Sequence, residues 1–213
     1  MIALFISLAV LLVLVILFII FYPKIHRAKL KKDFVSIYGK QIYRYALHND
    51  LYLINVLELK GNDDQIIKID HLLFGNKYIY VISDYYLPGT IEAKEEDNSF
   101  VYTTLGKNPK KMYIDNLLIK DLDLTQRVAN DLGLNPSLFI AIGVIDDDAD
   151  FGGFHPKCKN NFLAHISKLP KLLDSLEARN VAPLNDDQLK FTVKDVNRLN
   201  ERRKTNVRHE RNI

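Results

Sequence analysis

The chain has 213 residues, of which 48% are hydrophobic and 26% charged, and its formal net charge is +3. This composition is typical of a globular protein, and the nearly balanced charge gives no indication of a nucleic acid or an acidic substrate as partner. The single cysteine, Cys158, excludes an intramolecular disulfide and indicates a small packing residue in a reducing compartment.

An uncharged apolar segment opens the chain, from Ile2 to Tyr22. As a helix it would span about 31 Å, which matches the roughly 30 Å hydrocarbon core of a bilayer. We therefore predict a transmembrane anchor at residues 1–23. A cleaved signal peptide is the alternative, but no basic residue precedes the segment and no small-residue cleavage site ends it.

Basic residues follow this segment and none precedes it; they are Lys24, Arg27, Lys29, Lys31 and Lys32. Positive charge favours the cytoplasmic side of a membrane, so the asymmetry predicts a single-pass protein of the cell membrane. The N-terminus would lie outside and the soluble domain in the cytoplasm. We also expect the basic residues from Lys24 to Lys32 to contact anionic lipid head groups.

The soluble part begins with a helical pattern and continues with strand-like segments. Apolar residues three to five apart predict a juxtamembrane first helix at 24–48. Apolar, β-rich runs bounded by turn residues predict strands, which we expect to form an antiparallel meander. These strands are 51–60, 65–74, 78–86, and a short ribbon formed by 90–94 with 99–103.

Helical spacing returns between residues 108 and 132, and the continuous apolar run at 137–145 is typical of a strand buried on both faces. A polar loop at 146–161 and a short strand at 162–166 follow. Ser167 is expected to cap a helix that runs to Arg179. A last helix is expected at 185–204, before a basic tail.

This order predicts an α/β (α+β) fold with one mixed central sheet flanked by helices, because a meander followed by a helical crossover to a buried strand gives such a sheet. We place the core domain at residues 49–166. The C-terminal helices and the basic tail then occupy residues 167–213.

Four short stretches of the predicted meander form a motif: Ile69-Asp70-His71, Gly75-Asn76-Lys77, Tyr80-Val81-Ile82, and Pro88-Gly89 with Ile91. They resemble the central motif of the nuclease-related (NERD) domain family, which shows an IDH strand, a turn and a strand ending in an E-x-K triplet. Gly39, Asn116 and Gln126 fall near the family's early glycine and its N-P…Q element. The resemblance implies a bacterial protein behind one transmembrane helix, with a PD-(D/E)XK nuclease-like core of order α-β-β-β-α-β.

The resemblance also implies a Mg²⁺ site, in which Asp70 and the Glu of the triplet hold the ion while the Lys orients the attacking water. Here the triplet falls on Ser83-Asp84-Tyr85, so Asp70 has neither the Glu nor the Lys of the motif beside it. We therefore expect a degenerate hydrolytic centre without a cofactor. If the protein is active, Mg²⁺ is the expected cofactor.

Other residues could replace the missing ones. Strand alternation places Lys68 on the face of Asp70, whereas Asp84 points to the opposite face unless a bulge or a register shift turns it. Glu92 on the next strand is a further candidate acid. On this hypothesis Asp70 and Lys68 are catalytic, and Asp70, Asp84 and Glu92 hold the metal.

Further polar and aromatic clusters have simpler interpretations than metal or base binding. We expect His71 to be a hydrogen-bonded strand residue, because it points away from Asp70. The acids at 146–150 lack EF-hand spacing, which favours a solvated loop, and His155, Cys158 and His165 lack the spacing of a zinc site. The tyrosines are expected to pack in strands rather than to stack on bases; they are Tyr78, Tyr80, Tyr85 and Tyr86.

The leading functional hypothesis is a membrane-tethered pseudoenzyme that acts as a binding or scaffolding module for nucleic acid or a protein. One alternative is an active Mg²⁺-dependent nuclease with relocated catalytic residues. The other is a bitopic structural protein with no nucleic-acid role. A second carboxylate about 4 to 5 Å from Asp70 would favour the nuclease. A contiguous basic face would favour nucleic-acid binding.

Overall fold

The structure is a computed structural model that describes residues 2–60, 65–94, 96–152 and 158–200. The predicted turn cluster at 61–64, His155 and the predicted basic tail lie outside these residues. The chain divides into two compact units, Met1–Ile37 and Tyr38–Ile213.

The first unit consists of most of a long helix, α1 (Ile2–His48), in which Pro23 is accommodated and Asp33 departs from helical geometry with φ −125° and ψ 22°. The predicted anchor and the start of the predicted juxtamembrane helix are thus continuous, and a kink at Asp33 separates them from the helix that ends at His48. Its apolar side chains from Leu11 to Tyr22 are exposed. By length and composition α1 can cross a membrane, and a signal sequence would share these properties.

The second unit contains nine strands and three further α-helices among the residues described. The strands are β1 (Tyr52–Lys60), β2 (Ile66–Phe74), β3 (Ile79–Tyr85), β4 (Gly89–Glu92), β5 (Ser99–Thr104), β6 (Lys111–Asp115), β7 (Phe139–Ile145), β8 (Ala149–Asp150) and β9 (Asn161–His165). The helices are α2 (Leu117–Asp131), α3 (Leu169–Glu177) and α4 (Asp186–Leu199), with short 3₁₀ turns at Pro136–Leu138 and Ile166–Lys168.

The first sheet has the strand order β1-β2-β3-β7-β9. Strands β1, β2 and β3 pair antiparallel, as the predicted meander requires, and β3, β7 and β9 pair parallel. Helix α2 is the crossover between the meander and β7. Every residue of β7 is buried, which confirms the prediction of a strand covered on both faces. The fold is therefore a mixed α+β arrangement.

The expectation of one central sheet is wrong, because β4 and β5 belong to a second sheet of order β6-β5-β4-β8. Strand β7 occupies the edge of β3 that a continuing meander would need. The chain turns away at Gly89, whose φ is +153° and whose α-carbon lies directly against the backbone of Thr103. Among the described residues, one apolar cluster lies around β1–β3 with α2 and α4, and another lies around β4, β5 and α2.

Two predicted helix starts are also wrong. Residues 111–115, placed in a helix by their spacing, form β6 against β5. Helix α2 begins only after Asn116, whose side chain accepts hydrogen bonds from the N–H groups of Leu118 and Ile119. Ser167 does not cap a helix, because both its N–H and its hydroxyl donate to the carboxylate of Asp147.

Replacing Gly89 with alanine should destabilise the second unit, because the new methyl group would overlap the carbonyl oxygen of Thr103. Gly106→Ala is a matched control, since Gly106 also has a positive φ, +141°, but faces open space. Backbone strain alone costs about 1–3 kcal/mol. We expect Gly89→Ala to lose more unfolding free energy than the control in urea titrations followed by circular dichroism. Equal losses would show that the close contact does not matter.

Candidate polar site at the divergence of two strands

The candidate site lies where β2 and β3 separate. Their ladder ends at the pair His71–Ile82, and beyond it Ser83, Asp84 and Tyr85 continue the pairing of β3 with β7 on its other side. The carboxylate of Asp70 closes this opening, because its Oδ2 accepts the backbone N–H of Asp84 at 2.9 Å. Asp70 therefore stands at a gap in the sheet, with one carboxylate oxygen held by the neighbouring strand.

The two faces of β3 at this gap present different chemistry. The Asp84 side chain points toward His71 and away from Asp70, as strand alternation predicts. Ser83 and Tyr85 point to the other face, where Asp121 of α2 lies. The structure thus brings three acids to one region of the sheet but distributes them over both faces.

His71 is the centre of a buried chain of hydrogen bonds. Its Nδ1 lies 2.7 Å from Oδ1 of Asn55, and its Nε2 lies 2.7 Å from Oδ2 of Asp84. An amide oxygen only accepts, so Nδ1 carries a proton. The remaining proton is shared between Nε2 and the carboxyl group, which leaves the pair without net charge in either arrangement. The His71 and Asp84 side chains are 1% and 0% exposed.

Burial is the main influence on the pKa of Asp84, which it raises above its ordinary value. The hydrogen bond from His71 acts in the opposite direction, and the nearby charge of Asp70 adds to the increase. Gly39 of α1 completes this environment. A Cβ at Gly39 would lie 3.1 Å from Cε1 of His71, so this glycine lets the helix approach the ring.

On the other face Asp121 is buried to 1% exposure and accepts a hydrogen bond from the Tyr85 hydroxyl at 2.7 Å. Gly143 of β7 makes room for it, since a Cβ there would lie 2.7 Å from Oδ2 of Asp121. Burial raises the pKa of Asp121 to about 6, against hydrogen bonds from Tyr85 and Ser83 that lower it. Its Oδ2 accepts no hydrogen bond within the described part of the chain.

Asp121 and the cation near it were not among the predicted site residues. Lys120 lowers the pKa of Asp121, and its ammonium group lies 5.4 Å from the centre of the Tyr85 ring. Asp70 is close enough to raise the pKa of Asp121. Two features of the sequence could have indicated Asp121. One is an acid placed one helical turn before the apolar stripe of the crossover helix, and the other is a glycine, Gly143, inside a fully apolar strand.

The other predicted site residues lie elsewhere. The Lys68 side chain is 78% exposed and faces Glu58 of β1 at 3.9 Å. Glu92 is in the second sheet, 60% exposed, and forms an ion pair with Lys111 at 3.3 Å. The structure therefore brings Asp70, Asp84 and Asp121 into one region of the sheet. Within the residues described, no hydrogen bond or ion pair connects Lys68 or Glu92 to these three acids.

A Mg²⁺ ion does not fit this donor set as it is built. The acids are distributed over both faces of the sheet and each has one oxygen held by a protein donor: a backbone N–H for Asp70, His71 for Asp84, and Tyr85 for Asp121. Across residues 2–60, 65–94, 96–152 and 158–200, no three His, Cys, Asp or Glu side chains converge as a metal site.

The remaining clusters mostly serve the fold. Asp146 is buried rather than solvated as expected, and its carboxylate accepts the N–H groups of Leu87 and Asp148. The expectation that Cys158 packs in the interior is wrong, because it is exposed in the segment before β9. The Tyr80 hydroxyl donates to Glu177, in agreement with the predicted packing role.

Comparison with known proteins finds no family model, no curated protein and no solved structure that matches this chain. The resemblance to the nuclease-related family remains a prediction from the motif residues.

Removing the Asp84 carboxylate should be much more costly than removing that of Glu92. Asp84→Ala leaves His71 without its buried partner, which costs about 3–5 kcal/mol of unfolding free energy. Glu92→Ala breaks an exposed ion pair and should change stability by about 1 kcal/mol or less. Urea denaturation of both variants measures the difference. Comparable losses would contradict the structural role assigned to the His71–Asp84 pair.

Asp121 should make the protein less stable as the pH rises. The folded state binds its proton more tightly than the unfolded state, so the unfolding free energy falls between pH 3.8 and about 6. This difference in pKa corresponds to about 3 kcal/mol. Asp121→Asn should remove that part of the pH dependence while still accepting the Tyr85 hydrogen bond.

Asp123→Asn is the matched control, because Asp123 lies on the same helix and is exposed. Unfolding free energies at pH 4 and pH 7 give the readout. If the two asparagine variants show the same pH dependence, the burial of Asp121 does not destabilise the folded protein.

Proposed function

We propose that this chain is a membrane-anchored module with a nuclease-like core of the NERD type, which binds or scaffolds rather than cleaves. Its soluble domain faces the cytoplasm. Nucleic acid is the ligand that the resemblance suggests, and a protein is the alternative. The hydrolytic centre has been replaced by a hydrogen-bonded polar core that binds no metal ion.

The order of elements supports a nuclease-like core. The end of α1, strands β1 to β3, helix α2 and strand β7 occur in the order α-β-β-β-α-β, with strands β4 to β6 of the second sheet inserted between β3 and α2. Strands β3 and β7 are parallel neighbours in the same sheet, joined through α2. Asp70 lies where β2 and β3 separate, a position open enough for a functional side chain.

The observation that carries the proposed loss of hydrolysis is the identity of the first and third residues of the triplet Ser83-Asp84-Tyr85. Where the family has Glu and Lys, this chain has Ser83 and Tyr85. The Tyr85 hydroxyl donates to Asp121 at 2.7 Å, and Ser83 on the same face lowers the pKa of Asp121. Neutral hydroxyl groups provide neither the carboxylate that would hold a Lewis-acidic metal ion nor the ammonium group that would orient the attacking water.

The anchor and the orientation are supported by α1 and by the residues after its apolar part. The helix is long and apolar enough to span a bilayer. The basic side chains between Lys24 and Lys32 are exposed, and positive charge favours the cytoplasmic side. The same charges would contact anionic lipid head groups.

The full chain, purified in detergent, should not cleave plasmid DNA, single-stranded DNA or RNA with Mg²⁺ or Mn²⁺ above the level of an Asp70→Ala control. It should bind a fluorescent oligonucleotide with an affinity that falls steeply as salt increases. Fluorescence anisotropy at several salt concentrations provides that measurement.

Metal-dependent cleavage that Asp70→Ala abolishes would overturn the proposal in favour of an active nuclease. Asp121→Asn and Lys120→Ala would then identify the relocated acid and cation, because the structure places both groups near Asp70 or Tyr85. Absence of both cleavage and oligonucleotide binding would contradict the nucleic-acid assignment and favour the bitopic structural protein.

A further inference from the structure

The connection between β5 and β6 is an unusually open part of the second unit. Leu105 to Tyr113 are nine consecutive exposed residues, with the sequence LGKNPKKMY. They include three lysines and no acid. We refer to residues 105–113 as the basic hairpin.

Apolar side chains are exposed together with these charges. Leu105 is 48% exposed, Met112 41% and Tyr113 79%. Strand β6 is an edge strand of its sheet, since its described pairing is with β5 alone. Met112 and Tyr113 are consecutive residues of β6 and therefore point to opposite faces, so both faces at this end of the hairpin expose an apolar side chain.

The charges are largely uncompensated within the described residues. Lys111 forms an exposed ion pair with Glu92, but neither Lys107 nor Lys110 has an acidic partner there. The loop is nevertheless ordered by its own hydrogen bonds. The N–H of Thr104 donates to the carbonyl of Lys110 at 3.0 Å, and the N–H of Lys110 donates to the Thr104 hydroxyl at 2.9 Å.

We propose that the basic hairpin binds the surface of an anionic lipid bilayer, with its lysines at the head groups and its apolar side chains at the acyl boundary. Exposed lysines complement anionic head groups, and lysine and tyrosine side chains reach from an apolar surface to a polar one. Leucine and methionine favour lipid over nucleic acid, because bases stack on aromatic rings rather than on aliphatic chains. The inference depends on the proposed membrane anchor, which would keep the domain close to such a surface.

Tryptophan fluorescence can test this contact because the chain contains no Trp. Tyr113→Trp places a single reporter on the hairpin of the full chain, and Phe191→Trp, at a position 69% exposed on α4, is the matched control. Both variants are incorporated into nanodiscs of phosphatidylcholine, with or without phosphatidylserine, that contain brominated acyl chains. We expect blue-shifted, bromine-quenched emission for the hairpin reporter in anionic discs, and neither change for the control.

The role of charge is tested by Lys107→Glu with Lys110→Glu in the Tyr113→Trp background. This double variant should lose most of the bromine quenching. The control double variant, Lys190→Glu with Lys194→Glu, changes two exposed lysines on α4 and should retain the quenching. Equal quenching with and without phosphatidylserine, or none at all, would overturn the proposal. So would an emission change on adding an oligonucleotide that removes the bromine quenching, because it would identify nucleic acid as the preferred occupant.

Retention of the chain in the membrane tests the proposed anchor separately from the hairpin. A chain that is not retained by the nanodiscs or is extracted from membranes by alkaline carbonate has no membrane span, and this result would overturn both proposals. Retention without quenching of the hairpin reporter would overturn the hairpin proposal alone.

Discussion

The hydrogen bond between His71 and Asp84 is the interaction on which the centre of the soluble domain depends. Both side chains are excluded from water, so neither can be left charged without the other. Asn55 fixes the ring from the β1 side, and Gly39 allows helix α1 to pack against it. This chain of hydrogen bonds therefore connects the three strands of the meander, and the end of α1 that belongs to the second unit lies against its histidine.

The requirement that a buried polar group has a partner also explains the arrangement on the opposite face of β3. Asp121 enters the interior from the crossover helix, and the space for it exists because position 143 in β7 is glycine. The Tyr85 hydroxyl donates to it, and Ser83 lies on the same face of β3. The buried acid and these hydroxyl groups depend on one another, since an acid at position 121 needs donors and the hydroxyl groups need an acceptor.

Much of the fold could be predicted from periodicity. The meander, the buried strand at 139–145 and the placement of Asp84 away from Asp70 all follow from strand alternation and apolar runs. The second sheet could not be predicted in this way, because the departure of the chain from the first sheet depends on the contact between Gly89 and Thr103. Strand β6 was mistaken for helix because its short segment has helical spacing, and its pairing with β5 is a nonlocal interaction.

The site was less predictable than the fold because its members come from separate elements. Asp70 and Asp84 were identified from a motif, but Asp121 joins them only through the packing of α2 on β7. Glu92 and Lys68 were predicted from their position along the chain, and both form exposed cross-strand ion pairs instead. Strand alternation gives the face on which a side chain lies, whereas it cannot give the neighbouring element that covers that face.

Burial and the neighbouring groups act in opposite directions on the pKa of Asp121. A cation beside a carboxylate lowers its pKa, whereas burial raises it. Here the hydroxyl groups of Ser83 and Tyr85 and the nearby Lys120 reduce the effect of burial without cancelling it, and the pKa remains at about 6. The buried acid is therefore only partly stabilised by its neighbours.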